Sequence, residues 1–80
     1  MTYKELINKL EAHSFCMLHF EKLNENCLIL YVECQDPIAA LSLVDDDWQF
    51  IDQYARFDAT FLKAMAELVD TPKEQRGDWE

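Results

Sequence analysis

A single glycine and two prolines punctuate the 80 residues of this chain. One glycine leaves no room for a glycine-rich phosphate loop, so nucleotide binding by that route is excluded. So few breakers also predict a chain made mostly of helix and strand. Cations are missing from a whole segment. Residues 23 to 54 hold no Lys or Arg, yet carry Glu25, Glu33, Asp36, Asp45, Asp46, Asp47 and Asp52. With a net charge of −9, direct binding to nucleic acid is disfavoured, because neutralising phosphates needs a cationic surface. A basic protein partner is electrostatically easier.

No apolar run approaches the ~18 residues needed to span a bilayer, so no membrane association is expected. Three cysteines, Cys16, Cys27 and Cys34, are an odd number without a close pair, and no secretory signal precedes them. Free thiols in a cytoplasmic protein are the economical expectation. Half of the residues are apolar, too many for a disordered chain. The length suits one domain, residues 1 to 80, in which 77 to 80 form a frayed tail unless Trp79 docks.

Thr2-Tyr3-Lys4-Glu5 fits a capping box. Tyr3, Leu6, Ile7 and Leu10 follow at helical spacing, which predicts a helix over residues 3 to 12. In "SFCMLHFEKL" that spacing is lost. As a strand it places Cys16, Leu18 and Phe20 on one face and Phe15, Met17 and His19 on the other; a helix running on to Phe20 is the rival reading. "LNEN" (23 to 26) is a polar turn, "CLILYVEC" (27 to 34) the clearest strand, and "QDP" (35 to 37) the next turn. "IAALSLV" (38 to 44) reads as a third strand, and "WQFID" (48 to 52) as a short fourth strand or an ordered loop. Phe57, Phe61, Ala64, Met65, Leu68 and Val69 line one face of a second helix, with Asp58 as its N-cap and Thr71-Pro72 as its stop. Thr71 to Glu74 resembles a second capping box, opening a last short turn through Arg76. The order predicts an α+β fold: an antiparallel meander of three to four strands with an N-terminal and a C-terminal helix.

The strands are apolar on both faces. Leu28, Leu30 and Val32 oppose Cys27, Ile29 and Tyr31; Ala39, Leu41 and Leu43 oppose Ile38, Ala40 and Val44. Either the helices cover opposite faces, or the sheet curls over itself, or the second face is an interface for a second copy or a target. Ile29, Tyr31, Ile38, Val44 and Trp48 are the candidate interface residues.

Asp45-Asp46-Asp47 invites a metal reading. A calcium loop needs alternating oxygen ligands, a glycine at the sharp turn and a glutamate at the twelfth position, none of which is here. The triplet is read as a turn and, with Asp52, as a candidate acidic patch. His13, Cys16 and His19 recur every three residues, but on a strand Cys16 points away from His19, and a structural zinc site wants four ligands. No metal and no cofactor is expected. A thiol enzyme would need Cys16 or Cys34 beside a histidine, whereas strand cysteines are commonly buried and inert. Glu33 and Asp52 are conceivable as facing acids across a sheet, an arrangement more often found on a solvated surface.

The pieces "WQFIDQYARF", "LKAMAELVDTP" and "KEQR" resemble small phage- and prophage-encoded proteins of Gram-positive bacteria, in which a sheet segment leads into a helix ending in Thr-Pro-x-x-x-Arg. The likeness spans residues 38 to 76. It implies an accessory protein of the bacterial cytoplasm and supplies no catalytic residues. The expected role is non-catalytic protein–protein interaction with self-association. An acidic decoy for a host nucleic-acid-binding protein is the alternative, and a thiol-dependent enzyme a third.

Overall fold

The computed structural model describes residues 1–33, 36–52 and 57–80. Helix α1 (Tyr3–Ser14) leads into strands β1 (Leu18–Asn24), β2 (Cys27–Val32), β3 (Asp36–Ser42) and β4 (Asp47–Phe50), then helix α2 (Ala59–Asp70) and a 3-10 turn (Lys73–Gln75). The strands pair antiparallel in the order β1-β2-β3-β4. This is the α+β meander that the sequence pattern predicts.

The capping box forms. Glu5 N–H donates to Thr2 Oγ1 (3.1 Å) and Thr2 N–H to Glu5 Oε1 (3.0 Å). The Thr2 amide holds the Glu5 carboxyl below its usual range. At the other end Phe15 adopts a left-handed conformation, φ 61°, and its amide closes the helix on Glu11 O at 2.9 Å. That conformation breaks the chain direction without a glycine. It rules out the helix running on to Phe20, and it also delays the strand. Phe15, Cys16 and Met17 form a connection, and β1 begins at Leu18, whose N–H is taken by Glu11 Oε2 at 2.8 Å.

Both helices cover the same face of the sheet. Tyr3, Leu6 and Leu10 of α1 join Phe61, Ala64, Met65 and Leu68 of α2, and Leu18, Phe20, Leu28, Leu30 and Leu41 of the strands, in one core. Two of the expected second-face residues belong to that core side. A bulge between Leu30 and Tyr31 pairs Leu30 with Ala39 and Tyr31 with Pro37. Ile38 is the extra residue, turned inward and buried. Trp48, opposite Leu41, lies under α2 and donates Nε1–H to Met65 O at 2.9 Å. Val44 is in no strand; it stands in the turn after Ser42, 63% exposed. The bulge also accommodates Pro37 within β3, where its missing N–H is tolerated, so Asp36 and Pro37 open a strand rather than make a turn. β2 ends at Val32, followed by Glu33 at φ 56°; Cys34 and Gln35 fall outside the described residues.

Asp58 caps α2 as expected, accepting Phe61 N–H at 3.0 Å. The second capping box does not form. Thr71 turns its hydroxyl back to Glu67 O (2.9 Å) and accepts the N-terminal amine of Met1 (3.0 Å). The tail is not frayed throughout. Gly77 takes φ 75°, which glycine adopts without the strain a side chain brings, and Trp79 packs against the core.

Arg76 is the one buried charged residue among those described. Its Nε–H donates to Thr71 O (2.8 Å), and Nη2 to Val69 O (3.2 Å) and Asp46 Oδ1 (3.0 Å). Its own carbonyl accepts Tyr3 N–H at 2.9 Å. Replacing Arg76 by Ala is expected to cost about 3–5 kcal/mol in urea unfolding, because Asp46 and the end of α2 lose a buried partner. Asp46→Asn, which tolerates the left-handed φ of 52° at that position, is expected to cost about 1 kcal/mol. A loss at Arg76 no larger than at Asp46 would contradict this account.

Candidate functional site

β1 and β3 start, and β2 and β4 finish, at the same end of the sheet. The C-terminus of α1 and the N-terminus of α2 meet there too. A cavity of about 420 Å³ opens between them, walled by Leu18, Val32, Ile38, Phe57 and Phe61, with His13 and Cys16 on the α1 side. Its two acids are Asp52 and Asp58.

The helices are pinned across the cavity by His13 Nε2 and Asp58 Oδ2, 2.6 Å apart. Asp58 thereby serves two partners, capping Phe61 N–H with its other oxygen. The His13 hydrogen bond, and then the Phe61 amide, hold its carboxyl below the usual aspartate range. Aromatic rings continue this wall. His13 lies 5.9 Å from Phe61, Phe61 6.2 Å from Phe57, and Phe57 4.5 Å from Phe50.

Several large apolar side chains of the neighbouring segments are exposed. Phe15 is 93% exposed and Met17 76%, on either side of Cys16. Phe50 and Ile51, each about half exposed, follow at the end of β4. Phe15 and Met17 adjoin the lining residue Cys16 in sequence, and the Phe50 ring contacts that of the lining residue Phe57. Sequence reading missed this end. The available signal was the run Phe15-Cys16-Met17, apolar residues that neither flanking element needs for its buried face.

The open face of the sheet holds the other candidates. Ile29 and Tyr31 point there, with His19 stacked on Tyr31 at 5.3 Å and 9°. Cys27, Ala40, Glu21 and Gln49 share that face by register. Ile29 is nevertheless buried by its neighbours.

The four acids expected to form one patch are divided. Asp46 pairs with Arg76, and Lys73 Nζ stands 3.9 Å from the same oxygen. Asp47 Oδ1 accepts the amide of Trp48 at 2.9 Å, and the Asp45 amide donates to Ser42 Oγ. Asp52 lies at the cavity, at the far end of β4.

His13, Cys16 and His19 do not converge, since His13 faces Asp58 and His19 the open sheet surface. Among the described residues no group of three or more His, Cys, Asp or Glu is placed to hold a metal ion. No helix among them is long and apolar enough to cross a membrane. No family model matches the chain, and comparison with curated proteins and with solved structures finds no match.

Because the folded Asp58 carboxyl is depressed, its stabilisation is complete above the unfolded value of about 3.8 and is lost as pH falls through the lower folded value. Asp58→Asn keeps a capping oxygen but removes the charge. Its thermal midpoint is expected to fall less steeply between pH 5 and about pH 2 than that of the native chain. Parallel acid limbs would show that the His13–Asp58 pair contributes nothing to folding.

Proposed function

We propose that this chain is a non-catalytic protein-binding module whose docking surface is the cavity end of the fold. The observation that carries the reading is the exposure of Phe15, the left-handed cap of α1, and of Met17, the two sequence neighbours of the cavity residue Cys16. A large apolar side chain left in water at a rigid, capped position forgoes the burial that would stabilise a fold of this size. A partner supplies that burial.

The polar groups at this end are engaged in architecture. Asp58 caps α2, His13 binds Asp58, and Ser14 Oγ donates to Leu10 O at 2.7 Å. Among the described residues no hydrogen bond joins Cys16 to His13, so the nucleophile-and-base relation that a thiol enzyme requires has no support here. The resemblance to small phage and prophage proteins accords with an accessory role of this kind.

A second reading, self-association through the open sheet face, is favoured by the adjacency of Tyr31, Ile29, Ala40 and Cys27 on a surface that no described element covers. The two are separable. A Phe15→Asp, Met17→Asp double variant is expected to fold normally, since both residues are exposed, and to lose a partner that the native chain and Tyr31→Asp both capture. Retention by the double variant would remove the cavity-end reading. For the open face, Tyr31→Asp is expected to turn a dimer into a folded monomer in sedimentation. A native chain that sediments as a monomer at high concentration would remove that reading.

A further inference from the structure

We propose that residues 77–80 guard the free edge of β1 against pairing with β1 of a second copy of the chain, with Trp79 as the latch. The proposal is independent of the docking surface above.

The free edge follows from the ladder. Glu33 N–H donates to Met17 O, so the peptide groups of Met17 face β2. Strand alternation then turns those of Leu18, Phe20 and Lys22 outward. Glu11 Oε2 takes the Leu18 amide. Among the described residues none accepts the Phe20 or Lys22 amide, and none donates to the carbonyls of Leu18, Phe20 or Lys22. An unpaired edge on a strand of seven residues is a template for strand addition. The other edge is a poorer one. β4 has four residues, and its outward Trp48 amide is bonded to Asp47.

The β1 edge is unpaired and yet covered, since Phe20 is only 5% exposed. It lines a groove whose other walls are Lys4, Ile7 and Asn8 of α1, and Trp79 and Glu80. Trp79 also packs against the core. Among the described residues no hydrogen bond or ion pair holds residues 77–80. Packing of the Trp79 ring is therefore what keeps the tail in place, and releasing it breaks no hydrogen bond.

The charges on β1 select a second copy as the strand that would add. With Phe20 on the two-fold axis, Phe20 N–H meets Phe20 O of the second copy, and Lys22 N–H meets its Leu18 O. Each bond is made twice by symmetry. In that register His19 stands opposite Glu21 of the second copy, so an imidazole faces a carboxylate on both sides of the axis. The neighbouring registers set Glu21 against Glu21 or His19 against His19. The sequence of β1 thus favours one antiparallel self-pairing, and the tail withholds it.

The test compares the native chain with Trp79→Ala by sedimentation and by amide hydrogen exchange at low and high protein concentration. Trp79→Ala is expected to form a dimer whose Phe20 and Lys22 amides exchange ~tenfold or more slowly as concentration rises. The same amides of the native chain are expected to show no such dependence. Adding His19→Glu, which sets carboxylates against each other on both sides of the axis, is expected to abolish the slowing. Gly77→Ala loosens the same tail without touching the groove. Its added carbon has room, 3.8 Å from Thr2, but φ 75° becomes strained. A weaker dimer of the same kind is expected there, which decides the matter where Trp79→Ala fails to fold. Absence of the slowing in both tail variants would overturn the proposal. So would a dimer whose Phe20 amide exchanges as in the monomer, or a native chain that already shows the slowing. Slowing that survives His19→Glu would overturn the assigned pairing.

Discussion

Arg76 is the residue through which the rest of the structure is joined. Taking a guanidinium out of water costs several kcal/mol, and the cost is partly offset here by three side-chain hydrogen bonds to two regions of the chain, Nη1 being left buried without a partner. Val69 O and Thr71 O belong to the end of α2, where carbonyls lack helical partners. Asp46 belongs to the β3–β4 turn. The Arg76 carbonyl receives Tyr3 N–H at the start of α1. A positive group at a helix C-terminus is also on the favourable side of the helix dipole. Removing the side chain would therefore remove the link between the end of α2 and the β3–β4 turn and leave the Val69 and Thr71 carbonyls without this donor.

The lock makes the molecule unequal at its two ends. Where Arg76 sits, the turns are also tied to one another, since Leu43 N–H reaches Asn26 O at 2.8 Å. At the other end α1 and α2 are joined by a partly exposed His13–Asp58 pair and by ring contacts. Such an exposed pair contributes little to stability compared with a buried one. Less binding energy is then needed to part the helices there than anywhere near Arg76. Local opening is therefore expected first at the end joined by the exposed pair and last at the end held by Arg76.

Much of this was legible in residue order. Thr2 and Glu5 announced the first helix, Asp58 the second, and the apolar spacing from Phe57 to Val69 the face that packs. What was not legible depends on single backbone departures. A period-two reading must place Ile38 opposite Ala39 in orientation, and one bulge residue puts both inside. Trp48 beside three aspartates looks like a surface anchor, but its indole N–H finds Met65 O across the core. The partner of a buried polar atom is a tertiary fact and leaves no local trace. The same holds for the cavity, assembled from residues 13, 14, 16, 18, 32, 38, 52, 57, 58 and 61, no two stretches of which are patterned to meet.

The aspartate triplet shows how these levels combine. As a local signal it is a turn, and Asp45 and Asp46 are in the turn while Asp47 opens β4. Its middle member takes φ 52°, a conformation that aspartate tolerates better than most residues, and this is the residue whose carboxylate meets Arg76. Asp47 accepts the following amide, as aspartates in turns do. The run of acids thus divides by task rather than by position. Asp46 is the counter-ion of the fold, and neutralising the triplet would strike at folding before it touched any partner. Asp52, the fourth acid, stands apart from the triplet, beyond β4 at the cavity end of the sheet. Neighbours in the sequence are thus separated by the meander, Asp46 joining the C-terminal arginine and Asp52 the opposite end of the sheet.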